Sequence, residues 1–202
     1  KLPLADADNT VLTPAAFLAV AKSHQLLEKI DRWILINACK RINEIRKTHP
    51  EARLLVQLTS ASLIDKKLPS VASQLINAIG GKAGALTLQF NEKDIADHLT
   101  VAKSQFSALT KVKCQLCIKN FGSSAKSIEL ANFVYPDMVR LARNYVEGID
   151  AADNLETLKS LIVRTNEINV DVLMPYIEDA ATMSVAWSVG ARYLQGYYLE
   201  AP

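Results

Sequence analysis

Apolar and polar positions along this chain follow two alternating rhythms. Leu54–Leu58, Ala85–Phe90, Val112–Asn120, Met138–Ala142 and Val170–Met174 are short, mostly apolar runs, the pattern of strands buried on both faces. Between and after them the spacing turns helical. It predicts helices over Pro69–Ala78, closed by Gly80-Gly81, over Asp94–Leu109, from about Ser124, over Asn154–Asn169 with Asn154 as cap, and over Asp179–Val189. Tyr193–Gly196 reads as a last short strand. At the front, residues 1–12 read as a polar loop, and Thr13-Pro14 gives a cap followed by proline in the first helical position. A break near His24 precedes a second helix, which Asp31 is expected to cap. Ile34, Ala38, Ile42 and Ile45 form its apolar face, and His49-Pro50 ends it.

Strand and helix alternate through six strands with short connections, which means parallel strands covered by helices. No glycine-rich phosphate fingerprint follows the first strand, so a TIM-like (β/α) barrel is favoured over an open doubly wound sheet. One domain over residues 1–202 is expected. The abrupt start at Lys1-Leu2-Pro3 reads as the end of an element, with the first strand or strands lying before residue 1 in a longer, multidomain protein.

Composition narrows the function. The chain has 202 residues, 50% of them apolar, and a net charge of +2 without a basic run, which argues against nucleic acid as a partner. No apolar stretch reaches the ~18–20 residues that span a bilayer, and no signal peptide is visible. Three cysteines fit a reducing, cytoplasmic setting. Cys114-x-x-Cys117 lies in a strand-like run whose positions three apart face opposite ways, so the pair reads as buried and structural rather than as a metal or redox site. His24, His49 and His98 have no ligand-spaced neighbours.

In an α/β protein the carboxyl ends of the strands carry the chemistry. The stretch from Cys117 to Ser124 is such an end, and it places a cation and an amide there, Lys119 and Asn120, with no carboxylate.

Beyond this point a family is visible. Pro14-x-x-Phe17 with Ile30-Asp31-Arg32-Trp33, then Phe121-Gly122, then Gln195-Gly196-Tyr197-Tyr198 with Pro202 resemble, in order and spacing, the EAL domain, the cyclic di-GMP phosphodiesterase module of bacterial signalling. The resemblance runs from Thr13 to the end, and the eponymous motif would lie before Lys1. It implies an EAL-type barrel and, in active members, two divalent cations held by acidic and amide side chains that activate a water.

Position by position, the resemblance implies that this metal site is lost. The family's asparagine is Gln57; the first glutamate of its Glu-x-x-Glu strand end is Gln89, with the second kept as Glu92. Its paired aspartates are Lys119 and Asn120. The lysine near the attacking water is Arg140, and the aspartate two residues on is Ala142. One glutamate of a later strand end is Pro175, while Glu178 remains. Two like unit charges ~4 Å apart repel by about 4 kcal/mol at an effective dielectric of about 20, and a divalent ion doubles that beside Lys119. Arg140 does not deprotonate and is no base.

The resemblance therefore implies a catalytically inactive receptor that binds cyclic di-GMP without a metal or other cofactor. Its expected nucleotide-binding residues are Asp31, Gln57, Gln89, Lys119, Asn120, Tyr176, Glu178, Gln195, Gly196 and Pro202, with Lys119, and Lys1 if near, meeting a phosphate. Asp31 reads equally as a helix cap, Glu178 also as a first-turn charge, and Tyr176, which replaces a glycine of the family pattern, also as a core aromatic. Within the family the nearest likeness is to the regulators of type IV pilus assembly and twitching motility, which engage a PilZ-domain protein. That implies a cytoplasmic bacterial protein recruited to the cell pole through other domains. An interaction domain that no longer binds nucleotide, and a weak residual phosphodiesterase, are the alternatives.

Overall fold

The structure, a computed structural model, describes residues 4–5, 11–12, 14–147, 149 and 152–199. Two short strands, β1 (Leu4–Ala5) and β2 (Val11–Leu12), pair antiparallel where a loop is predicted. The helices α1 (Pro14–Ser23) and α2 (Leu27–Ile45) follow, separated by Gln25 in the left-handed region at φ 55°. The predicted break near His24 is therefore present, but α2 starts at Leu27, and Asp31 lies inside it rather than at its cap.

The remaining chain alternates as the apolar runs predict. In order come β3 (Leu54–Gln57), α3 (Ser60–Ile64), α4 (Leu68–Ala78), β4 (Leu86–Asn91), α5 (Glu92–Asp97), α6 (Leu99–Lys111) and β5 (Gln115–Phe121). Then follow α7 (Ser127–Val134), β6 (Met138–Leu141), a 3-10 turn (Arg143–Tyr145), α8 (Ala152–Glu167), β7 (Asp171–Met174), α9 (Ala180–Ser188) and β8 (Tyr193–Leu194). The short α3 has no apolar repeat long enough to announce it.

The helix predicted over Asp94–Leu109 is two. Asn91 caps α5 by accepting from the Lys93 N–H, and His98, at φ −129°, ends that helix and starts α6. Asn154 is likewise inside its helix, since α8 starts at Ala152 with Asp153 in the dipole-favoured first turn.

β3 to β8 form one parallel sheet in sequence order, curled as a half-barrel. Every consecutive pair is joined by a helical crossover, so all six carboxyl ends lie along one edge. Strand alternation divides the faces. Leu86, Leu88, Phe90, Leu116, Ile118, Val139 and Val172 are buried in the core shared with the helices, where the Phe90 ring meets Phe106 of α6 at 6.0 Å between centroids. Each such side chain contributes about 1.5–3 kcal/mol by leaving water. The opposite face carries Thr87, Gln89, Gln115, Cys117, Lys119 and Arg140. The helices thus bury the apolar face, and polarity increases toward the carboxyl edge of the other.

Candidate functional site

Parallel pairing assembles the site. Gln57 ends β3, Lys119 and Asn120 stand at the end of β5, and Arg140 is on β6. Tyr176 and Glu178 follow β7, and Gln195 and Gly196 follow β8. Seven of the sequence-predicted residues therefore share one edge, Gln57 through Gly196, although they are scattered over most of the chain.

A bulge aims the central cation. On β5, Lys119 pairs with Arg140 and Phe121 with Leu141, so three residues of β5 oppose two of β6. Asn120 is the extra residue, at φ 57°, a conformation asparagine tolerates better than most side chains. Without it Lys119 and Phe121 would share a face. With it, Phe121 is fully buried while Lys119 reaches the open edge.

Lys119 Nζ donates to Gln57 Oε1 at 2.7 Å, and Arg140 Nε donates to Gln195 Oε1 at 3.1 Å. Two cations on neighbouring strands are thus each steadied by a neutral amide. Burial, with the Arg140 charge adding to it, pushes the Lys119 ammonium below its ordinary value. Neither cation has an ion-pair partner among the described residues, whereas Arg143 is paired with Glu147 at 2.7 Å.

Tyr176 braces the basic end of the row. Its ring lies 5.2 Å from the Arg140 guanidinium carbon and 5.0 Å from that of Arg143. Its φ of +60° is the left-handed conformation a glycine takes without strain, so the tyrosine is held there by its contacts. Those contacts include a tie between loops. Ile177 N–H donates to the Gln195 carbonyl, and Tyr198 N–H donates to the Ile177 carbonyl. Gly196 sits between them, where any Cβ would overlap the Ile177 backbone. Glu178 is exposed, and Asp179 next to it takes the α9 cap, accepting from Thr182 N–H at 2.6 Å, so Glu178 stands before the helix rather than in its first turn.

Three predicted residues stand apart from this row. Asp31 is 1% exposed, and its Oδ2 accepts from Thr59 N–H, Thr59 Oγ1 and Ser62 Oγ at 2.9, 2.8 and 2.7 Å. It anchors the turn after β3. Burial raises its pKa and these three donors oppose the rise. Gln89 is buried one layer below Lys119's level, with its Nε2 at 3.3 Å from Cys117 Sγ. Pro202, like Lys1, lies outside the described residues.

Glu92 is also withdrawn from the row. Buried at the start of α5, it accepts from Gly122 N–H at 2.9 Å and Ser127 Oγ at 2.8 Å. The turn after β5 is thereby tied down, and Tyr145 Oη donates to the Gly122 carbonyl at 3.1 Å from the other side. Burial raises the Glu92 pKa against those donors. Cys114 and Cys117 are free and buried, each thiol pushed up to about 12 by burial, as structural cysteines are. A cleft of about 580 Å³ beyond the Gly122 turn, near Tyr145, Glu156 and Arg164, contains none of the row's cations or amides.

Sequence reasoning missed Arg143 and gave Arg140 no binding role. Their signal was faint, two arginines three apart, one within the end of a strand and one just past it. It also missed that Glu92 serves the turn. As it stands the row offers two unneutralised cations, amide donors and acceptors, and an aromatic ring. It can attract an anion and hydrogen-bond a polar edge. A divalent cation would meet Lys119 and Arg140, with Glu92 turned away. Among the described residues no group of three or more His, Cys, Asp or Glu side chains is placed to hold a metal ion.

Comparison with known proteins gives a consistent picture. The model of the family described as EAL domain matches residues 2–202. The FimX EAL domain from Pseudomonas aeruginosa bound to c-di-GMP is 31% identical and superposes with a TM-score of 0.91, covering 99% of this chain and 81% of that one. The Xanthomonas citri FimX EAL domain in complex with c-di-GMP is 26% identical, with a TM-score of 0.88 over 96% and 77% of the two chains. The cyclic di-GMP phosphodiesterase PdeF of Escherichia coli is 22% identical over 96% of this chain and 26% of its own length. The chain spans about a quarter of the length of the curated relatives it matches.

Proposed function

This chain belongs to the EAL domain family, and we propose that within it the chain is a metal-independent receptor for cyclic di-GMP rather than a phosphodiesterase. The observation that carries this reading is the Lys119–Gln57 and Arg140–Gln195 pairs on the strand-end row. In a two-metal hydrolase that space must hold carboxylates to offset the ions and a water ready to lose a proton. Here it holds two cations, and the arginine has no accessible neutral form.

Such a row suits a nucleotide. The cations meet phosphate oxygens, lysine as a point charge and arginine as a fork. Gln57, Asn120 and Gln195 offer amides, and Glu178 offers a carboxylate to the edge of a guanine. Base stacking is worth about 1–3 kcal/mol per base, enough for useful affinity without an ion. Tyr176 contributes to the wall chiefly by bracing the arginines. The likeness to two FimX EAL domains solved with c-di-GMP supports the choice of ligand. On the resemblance read from the sequence we assign the domain to the relay of nucleotide occupancy to a protein partner, a PilZ-domain protein in type IV pilus control, in the cytoplasm.

Calorimetric titration with cyclic di-GMP in EDTA tests the reading. Micromolar or tighter binding is expected, with the nucleotide recovered intact after incubation with Mg²⁺ or Mn²⁺. No heat at high protein concentration would sink the receptor, and linear product on adding either metal would restore the enzyme.

A further inference from the structure

Resting on the receptor reading, we propose that Lys119 and Arg140 form a clamp for a phosphomonoester dianion, so that the site takes a linear dinucleotide through its 5′-terminal phosphate.

The argument is one of charge closure. Lys119 and Arg140 are register partners on adjacent strands, which run about 4.8 Å apart. Each is held by an amide oxygen, which orients a cation without cancelling it. Of Lys119, Arg140 and Arg143, Arg143 alone has an ion-pair partner among the described residues, Glu147. Glu178 stands exposed past β7, and Glu92 is buried in the Gly122 turn with its oxygens taken. Among the described residues no carboxylate is paired with Lys119 or Arg140, so the row presents two positive charges on neighbouring strand ends that the described acids leave unneutralised.

A phosphodiester brings one negative charge and leaves the pair half compensated. A phosphomonoester carries about −1.5 to −2 at neutral pH, with a second pKa near 6, and closes the balance. It also has three terminal oxygens, enough to take a lysine point contact and an arginine fork together. Tyr176 favours this geometry, since its ring restrains the Arg140 side chain before any ligand arrives. Opening one diester of a cyclic dinucleotide generates such a terminal phosphate, and relatives in this family catalyse that hydrolysis. The same chemistry would come from free inorganic phosphate, so the test must separate the two.

The experiment is calorimetry on the whole chain in EDTA at neutral pH. The probes are cyclic di-GMP, the linear 5′-phosphorylated guanosine dinucleotide, the same dinucleotide without its 5′-phosphate, and inorganic phosphate. The phosphorylated linear form is expected to bind about tenfold tighter than the dephosphorylated one. The gap should shrink to within about twofold in Lys119→Gln and in Arg140→Gln, and persist in Lys119→Arg, which keeps the charge. Equal binding of the two linear forms, or a gap that survives both glutamine substitutions, would overturn the clamp. Inorganic phosphate competing as well as the phosphorylated dinucleotide would overturn its assignment to a dinucleotide. If cyclic di-GMP binds while the linear forms do not differ, the clamp fails and the receptor stands. If no nucleotide binds, both fail.

Discussion

Two carboxyl-end positions on neighbouring strands have been resolved in opposite ways. Past β4, the Glu92 carboxylate is buried and accepts donors from the Gly122 turn and Ser127. On β5, Lys119 is half-buried, repelled by Arg140, and offered one neutral oxygen. The first site has no spare valence, so its free energy goes into shape. The second keeps a charge that folding does not use. Where an ionisable group has its oxygens taken by the fold's own donors it acts as framework, even though burial still raises its pKa. Where it is under-matched, the fold bears a cost that a ligand can remove.

Substitutions sharpen that contrast. The largest expected effect is Gly122→Ala, because its φ of +90° disfavours a side chain and the new Cβ would press on the Tyr145 ring and lie 2.9 Å from Leu161 Cδ2. A loss of about 4 kcal/mol is expected from denaturant unfolding, and a loss below about 1 kcal/mol would show the turn to be less fixed than its contacts imply. Glu92→Ala comes next, at about 1–2 kcal/mol, since it leaves the partly buried Gly122 N–H without its acceptor, while the Ser127 hydroxyl keeps the Ser124 carbonyl at 2.6 Å.

Lys119→Met is the smallest and has the opposite sign. Removing a desolvated, repelled ammonium should stabilise the chain by about 0.5–1 kcal/mol while weakening cyclic di-GMP binding. The pH dependence carries the same signature. The Lys119 pKa is lowered by folding, so between that lowered value and the ordinary 10.5 the unfolded chain binds more protons. Stability should rise with pH across that window in the wild type relative to Lys119→Met. Two parallel stability–pH curves would show that Lys119 is not under-matched.

Much of this was legible in the chain. The mostly apolar runs marked five of the six strands of the sheet, with Tyr193–Gly196 read as the last, because the face packed on the helices needs apolar side chains at every second position. Position 119 stood out because a lysine at such a strand end has no structural reason to be there. Capping was harder to read. Asp31 looks like a helix cap because aspartate is a good one, but its partners, Thr59 and Ser62, are about 30 residues away and only tertiary structure brings them near. The link from Glu92 to Gly122 spans a similar distance, and nothing local announces it. Arg140 and Arg143 gain their meaning from Tyr176, which lies beyond a whole helix and strand. Strand rhythm is a local property; the pairing of charges is not.

The single extra residue at Asn120 has a consequence for how such a domain can change over evolutionary time. By turning residue 119 away from the face that buries Phe121, the bulge separates one position from the packing around it. An acid, an amide or a cation can be tried there while the interior stays as it was. A scaffold with such an uncoupled position can vary what its strand-end row presents without repacking the core beneath it.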